Sequence, residues 1–191
     1  MIVTPGTVVR VGLLLLVAVV TQISGFAGIR IFGGVFDLMP LVVAAIALYG
    51  GSVTGSVVGF ACGMLIDLAL GHTLGASSLV LTAVGYGTGR FGEIRDPAHG
   101  LIAIPVGGVA TLGYVAAFGF VNFMLEINAS VSGLVLRDAL ITVLLNAWLA
   151  LPVFGIVKRL LRPVLASQPG RRSRGAETRP TGPLGLRGLE V

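Results

Sequence analysis

The chain alternates long apolar segments with short polar ones, at lengths typical of helices that cross a membrane. A spanning helix needs about 20 largely apolar residues, and the first such segment runs from about 8 to 26. Between Leu38 and Gly89, only Asp67 and His72 interrupt an uncharged stretch that is long enough for two or three more spans. The pattern therefore predicts a polytopic membrane protein, and the breaks between segments must decide the number of helices.

Glycine-rich breaks divide the long uncharged stretch. Its two strongest turn signals are Gly50-Gly51-Ser52 and Gly71-His72-Thr73, which favour three helices over two. A charged loop from Arg90 to His99 and a polar one around Glu126 and Asn128 separate two further apolar segments. We predict an all-α integral membrane bundle of about six short transmembrane helices, at about 8–26, 38–50, 53–70, 74–89, 101–125 and 134–157.

Composition supports a membrane domain followed by a tail. Of the 191 residues, 55% are hydrophobic and 11% are charged, whereas soluble domains carry about 25% charged residues. We predict a polytopic membrane domain over residues 1–162. Residues 163–191 are rich in Pro, Gly and Arg and bury too little apolar surface to fold, so a disordered basic tail is predicted there. The tail either flanks the last span or binds anionic lipid or a cytoplasmic protein; no nucleic-acid-binding pattern precedes it.

Basic residues predict the orientation of the bundle. With six helices the two termini share a side, together with Arg90 and Arg95. That side then carries Arg10 and every basic residue from Lys158 onward, whereas five helices would place these two groups on opposite sides. Cytoplasmic loops are enriched in Lys and Arg. We therefore predict a multi-pass membrane protein with both termini in the cytoplasm.

A regular row of glycines marks the third predicted helix. Glycine recurs at every fourth position from 51 to 75, except where Asp67 takes its place. Residues four apart on a helix are rotated by only about 40°, so Gly55, Gly59, Gly63 and Asp67 share one face. Small residues at this spacing let helices approach closely in lipid, where packing rather than the hydrophobic effect drives association. The face either packs inside the bundle or receives a helix of another protein.

Asp67 is the one carboxylate within the uncharged stretch between Leu38 and Gly89. A charged side chain at the centre of a bilayer costs about 2.5–3.5 kcal/mol on insertion scales, and less near the interface. Asp67 is predicted to lie one turn from the outer end of its helix. It is either a carboxylate that receives hydrogen bonds from the turn at 71–73, or a proton or substrate site, or a tie to a partner helix.

Asn146 is the polar residue in the middle of the last predicted helix. A buried amide hydrogen-bonds across helices in a membrane protein, for about 0.6 kcal/mol on average. A structural tie between helices is the favoured interpretation. The sequence contains no nucleophile and base pair, phosphate-binding loop or metal-ligand set, so we predict a protein that is not an enzyme and that uses no cofactor or metal.

Residues 36 to 90 resemble the rod-shape-determining membrane protein family MreD. The resemblance is carried by Phe36-Asp37-Leu38, by Gly55, Gly59-Phe60, Gly63, Asp67-Leu68 and Gly71 at their spacing, by Leu74-Gly75, and by Val84-Gly85-Tyr86 with Gly89-Arg90. The resemblance implies a non-enzymatic scaffold of the cell-elongation machinery, located in the inner membrane of rod-shaped bacteria. It implies MreC as the direct partner, and through MreC the MreB filament, the glycan polymerase RodA and a penicillin-binding transpeptidase.

A transport function is the alternative. The MreD family is similar in fold to the substrate-binding membrane component of energy-coupling-factor vitamin transporters. Such a component needs polar residues that converge from several outer loops, and the loops here offer few. Scaffolding is therefore the favoured function, in which Gly55, Gly59, Gly63 and Asp67 either shape the bundle or form a groove for the partner's helix.

Overall fold

The fold is an all-α helical bundle with one small β-hairpin. The computed structural model of the chain describes residues 5–26, 30–71, 74–95, 102–124 and 133–165. Within these ranges there are six α-helices, as predicted, and a π-helical turn that continues the first. Their bounds are α1 Pro5–Thr21 with the π-helical turn Gln22–Phe26, β1 Arg30–Ile31, β2 Gly34–Val35, α2 Leu38–Gly50, α3 Ser52–Leu70, α4 Ala76–Ile94, α5 Ala103–Met124 and α6 Gly133–Leu165.

Helix α2 is the centre of the bundle. Every residue from Leu38 to Leu48 is buried, and α2 packs against α3, α4, α5 and α6. Its 13 residues measure about 20 Å, which is less than the roughly 30 Å hydrocarbon core of a bilayer. By length and composition, four helices among the described residues qualify as membrane spans, namely those that contain 8–25, 52–70, 103–121 and 136–161.

The turns around α2 and α3 depend on glycine conformation. Asp37 caps α2 by accepting a hydrogen bond from Met39 N at 3.0 Å. Gly51, at φ 88°, is both the C-cap of α2 and the N-cap of α3, so one residue joins the two helices. Gly71 ends α3 at φ 66° and Gly75 precedes α4 at φ 97°. These positive φ values favour glycine, which explains why glycine marks the two breaks in the sequence, one after α2 and one after α3.

Two helices extend further than predicted. Helix α4 continues to Ile94 instead of ending at 89, because a backbone contact of Gly92 and hydrogen bonds of Glu93 hold its last turn against neighbouring helices. Helix α6 continues to Leu165 instead of 157, because Leu161 is still buried against the bundle. The predicted disordered tail therefore does not begin at 163. Residues 166–191 lie outside the described part of the chain.

The two ends of the bundle carry opposite charge. Ser52 hydrogen-bonds Glu93, and Lys158 Nζ lies 5.9 Å from the centre of the Tyr49 ring, so the ends of α2, α4 and α6 meet at one end, called here the basic end. The cations near it in the described ranges are Arg10, Arg90, Arg95, Lys158, Arg159 and Arg162, against one anion, Glu93. The opposite end, called here the acidic end, has three anions, Asp37, Asp67 and Asp138, against two cations, Arg30 and Arg137.

Candidate functional site

Helices α3 and α4 pack backbone against backbone. A Cβ added to Gly55 would overlap the carbonyl oxygen of Gly85, and one added to Gly59 would overlap that of Leu81. At Gly63 it would overlap the main chain of Ser78. No side chain larger than hydrogen fits at any of these three positions, and the surface where α3 and α4 meet is called here the closed interface.

Helix α4 contributes a matching row to the closed interface. A Cβ at Gly85 would overlap the main chain of Gly55, and one at Gly89 would overlap that of Ser52. Backbones this close gain dispersion energy and weak Cα–H···O contacts, which stabilise helix pairs in lipid. Of the two alternatives for the glycine row, the structure therefore shows internal packing, with α4 of the same chain filling the groove.

Asp67 lies at the acidic end of the closed interface and is fully buried. Its Oδ2 accepts hydrogen bonds from Gly75 N at 2.9 Å and from Ser77 N at 3.2 Å. These are free N–H groups at the start of α4, where a carboxylate also interacts favourably with the helix dipole. Asp67 therefore caps α4 from α3. The donors are Gly75 and Ser77 rather than the turn at 71–73, of which residues 72 and 73 lie outside the described ranges.

The cap made by Asp67 extends to a third helix. Ser77 shares a side-chain hydrogen bond with Tyr114 of α5, so α3, α4 and α5 are connected through one polar chain. Asp67 Oδ1 and Ser78 Oγ are buried and have no hydrogen-bond partner among the described residues. Asp67 thus uses one of its two oxygens for the cap.

A second carboxylate closes the basic end of the same interface. Glu93 Oε1 accepts hydrogen bonds from Ser52 N and Ser52 Oγ, both at 2.8 Å, and Oε2 pairs with Arg90 at 3.2 Å. The Ser52 hydrogen bonds, more than the Arg90 charge, lower the pKa of Glu93. Each helix of the antiparallel pair therefore has its first turn capped by a carboxylate near the end of the other.

Asn146 binds the main chain at the start of α2. It is fully buried on α6, its Oδ1 accepts from Asp37 N at 3.1 Å, and its Nδ2 donates to Asp37 O at 3.0 Å. This pair of hydrogen bonds joins residues 109 apart in sequence. Within the described ranges, Asn146 thus forms no hydrogen bond with Gly55, Gly59, Gly63 or Asp67. It connects α6 to the start of α2 instead of α3 to α4.

Two residues that the sequence analysis missed bind the same segment. Gln22 donates through Nε2 to Phe36 O at 3.1 Å and accepts through Oε1 from Leu38 N at 2.9 Å. Thr142 Oγ1 accepts from Val35 N at 3.1 Å. Irregular backbone is tolerated at membrane depth only where protein groups satisfy it. The available signal was that Thr142 precedes Asn146 by one helical turn. Gln22, Thr142 and Asn146 form the polar clamp.

The opposite face of α4 borders an open groove. The groove lies between α4 and α5 and has a volume of about 630 Å³. A Cβ at Gly87 or at Gly113, which line it, would meet no atom within 4 Å. Its lining is almost entirely apolar and consists of Val80, Ala83, Val84, Gly87, Thr88, Phe91, Pro105, Val106, Val109, Ala110, Gly113 and Ala117.

Comparison with protein families gives one match. A family model described as rod shape-determining protein MreD matches residues 5–164, a range that contains α1 to α5 in full and all of α6 except its last residue, Leu165. Comparisons with curated proteins and with solved structures give no match. The predicted similarity to energy-coupling-factor components therefore stays a prediction.

Proposed function

Because the chain belongs to the MreD family of rod shape-determining membrane proteins, we propose that it acts as a non-enzymatic scaffold of the bacterial cell-elongation machinery. In this proposal it binds MreC and, through MreC, connects to the peptidoglycan synthesis complex with MreB, RodA and a penicillin-binding transpeptidase. The observation that carries the proposal is the extent of the family match, which covers the whole bundle rather than one motif.

The packing of the bundle supports a scaffold. Along the closed interface, α3 and α4 touch backbone to backbone, with no gap between them. The caps by Asp67 and Glu93 hold this pair at both ends, and the polar clamp holds α6 to the start of α2. A scaffold requires surfaces that keep one geometry. Because α4 already fills the glycine row, a partner's helix has to bind to residues that face the lipid, such as Leu13, Leu16 and Val20 of α1.

The charge difference between the ends supports the proposed orientation. Basic residues favour the cytoplasmic side, and six cations against one anion in the described ranges lie near the basic end. We therefore place the basic end and both termini in the cytoplasm of the inner membrane. Reporter fusions after residues 30 and 95 test this directly: activity of a periplasmic reporter is expected at 30 and not at 95, and the reverse pattern would contradict it.

Co-purification with MreC is the direct test of the scaffold. Tagged protein is solubilised in mild detergent together with MreC, with an unrelated single-span protein as the control for nonspecific capture. Retention of MreC, and restored rod shape when the gene is returned to a depleted strain, are the expected results. A monodisperse protein that restores no shape and retains no MreC, or that instead retains a pair of transporter ATPases, would overturn the proposal.

A further inference from the structure

The groove between α4 and α5 has the dimensions of one leaflet. On α4 it extends from Phe91 to Val80, which is about 17 Å along the helix. On α5 it extends from Pro105 to Ala117, about 18 Å. One leaflet accounts for half of the roughly 30 Å hydrocarbon core. The groove therefore starts near the charged turn of α4 and reaches about the middle of the membrane.

A cation lies at the mouth of the groove. The lining residues of α4 recur every three or four positions and end at Phe91, and the next position on that face is Arg95. The guanidinium carbon of Arg95 lies 5.8 Å from the centre of the Phe91 ring. Arg90 is paired with Glu93, whereas Arg95 has no ion pair among the described residues. An apolar groove thus leads to a positive charge at the level of the lipid headgroups.

We propose that the groove binds one anionic phospholipid from the leaflet at the basic end, with an acyl chain along Gly87 and Gly113 and its phosphate at Arg95. Charge complementarity identifies the occupant: the end surface is positive, and anionic headgroups concentrate next to such surfaces. The length of the groove agrees, since an acyl chain spans one leaflet while a partner's transmembrane helix requires contact across both.

Native mass spectrometry of the purified full-length chain tests the proposal. The protein is titrated in detergent with phosphatidylglycerol and with phosphatidylcholine of the same acyl chains. One phosphatidylglycerol is expected to bind more tightly, by about fivefold if one arginine supplies the difference. Arg95→Gln, at an exposed position, is expected to remove this preference while phosphatidylcholine binding stays as in the parent. Equal binding of both lipids by the parent chain would overturn the proposal.

Filling the groove provides the second arm of the test. Gly87→Leu with Gly113→Leu adds side chains where the monomer has free space, so the variant is expected to fold and to lose the bound lipid. The control is Gly155→Leu on α6, which has the same free space and lies outside the groove. If the filled variant binds phosphatidylglycerol as the parent does, the groove is not a lipid site. If that variant also loses MreC, the groove binds the partner protein instead.

Discussion

The two faces of α4 use small residues in opposite ways. Toward α3, Gly85 and Gly89 are buried against a matching row of small residues; toward α5, Ala83 and Gly87 are exposed. The difference is not one of residue size alone, because α5 presents Ala110, Gly113 and Ala117 to the groove beside Val106 and Val109. A row of small residues thus permits close packing, but it does not by itself bring two helices into backbone contact.

Matched substitutions on the two sides of α4 give the largest expected difference. Gly59→Leu drives a side chain into the α4 backbone, and overpacking costs about 1–3 kcal/mol or more, so we expect loss of the folded, monodisperse protein. Gly87→Leu points into free space and is expected to change stability by less than about 0.5 kcal/mol. Thermal unfolding can be monitored with a thiol-reactive dye, since Cys62, the only cysteine, is fully buried. Similar melting of both variants would contradict the comparison.

The cap at the acidic end of the closed interface has the next largest effect. Asp67→Leu leaves Gly75 N and Ser77 N without their acceptor, which we expect to cost about 2–3 kcal/mol. Asp67→Asn keeps one acceptor oxygen and is expected to lose less than half of that. Hydrogen exchange at the first turn of α4 should accelerate in the Leu variant. Unchanged exchange there would show that the cap is not required.

A variant of the polar clamp measures a tie outside the closed interface. Asn146→Leu leaves the N–H of Asp37 without its acceptor, whereas the C=O of Asp37, as the N-cap of α2, keeps the first hydrogen bond inside that helix. The expected loss is about 1–2 kcal/mol. Trp148→Leu is the control on the same helix, since Trp148 is 77% exposed. The unfolding assay with Cys62 compares the two. If Asn146→Leu lowers the stability more than Gly59→Leu does, the contact between α3 and α4 is not the main source of stability.

The smallest effect is expected from acid at the basic end. The pKa of Glu93 is lowered in the folded protein from its ordinary 4.5 by the Ser52 hydrogen bonds. Its contribution is therefore present above that ordinary pKa and is lost as the pH falls through the lowered one. A slight loss of stability on acidification is expected in the parent and not in Glu93→Gln. The same loss in both proteins would assign it to other groups.

The sequence predicted what local signals determine. The bounds of α2 follow from a capping aspartate and a glycine break, and the row of glycines on α3 signalled a close backbone contact. Its partner on α4 was not identified, because spacing shows that a helix permits close packing but not which helix it packs against. The end of α6 was predicted too early, since basic residues mark the membrane surface while a helix continues beyond it wherever one side, here Leu161, still packs.

The sequence did not predict the partners of the long-range hydrogen bonds. Asn146 was expected to tie helices together, but its partner, the main chain of Asp37, has no side-chain signature that a sequence displays. Gln22 lies within the first predicted helix, and its two hydrogen bonds to the main chain before α2 depend on a contact 14 to 16 residues away in sequence. The reciprocal caps by Asp67 and Glu93 require the antiparallel contact of α3 and α4 to be known first, because each carboxylate serves the other helix.

The burial of α2 from Leu38 to Leu48 has a consequence for how the protein is made. A segment of 13 residues falls short of the roughly 20 that a spanning helix needs, so we expect the translocation machinery not to insert α2 alone. The one-residue turn at Gly51 lets it enter as a hairpin with α3. Its remaining sides stay open until α5 and α6, which contact it, have been synthesised. An insertion assay with α2 alone and with α2 and α3 together checks this order, and efficient insertion of α2 alone would refute it.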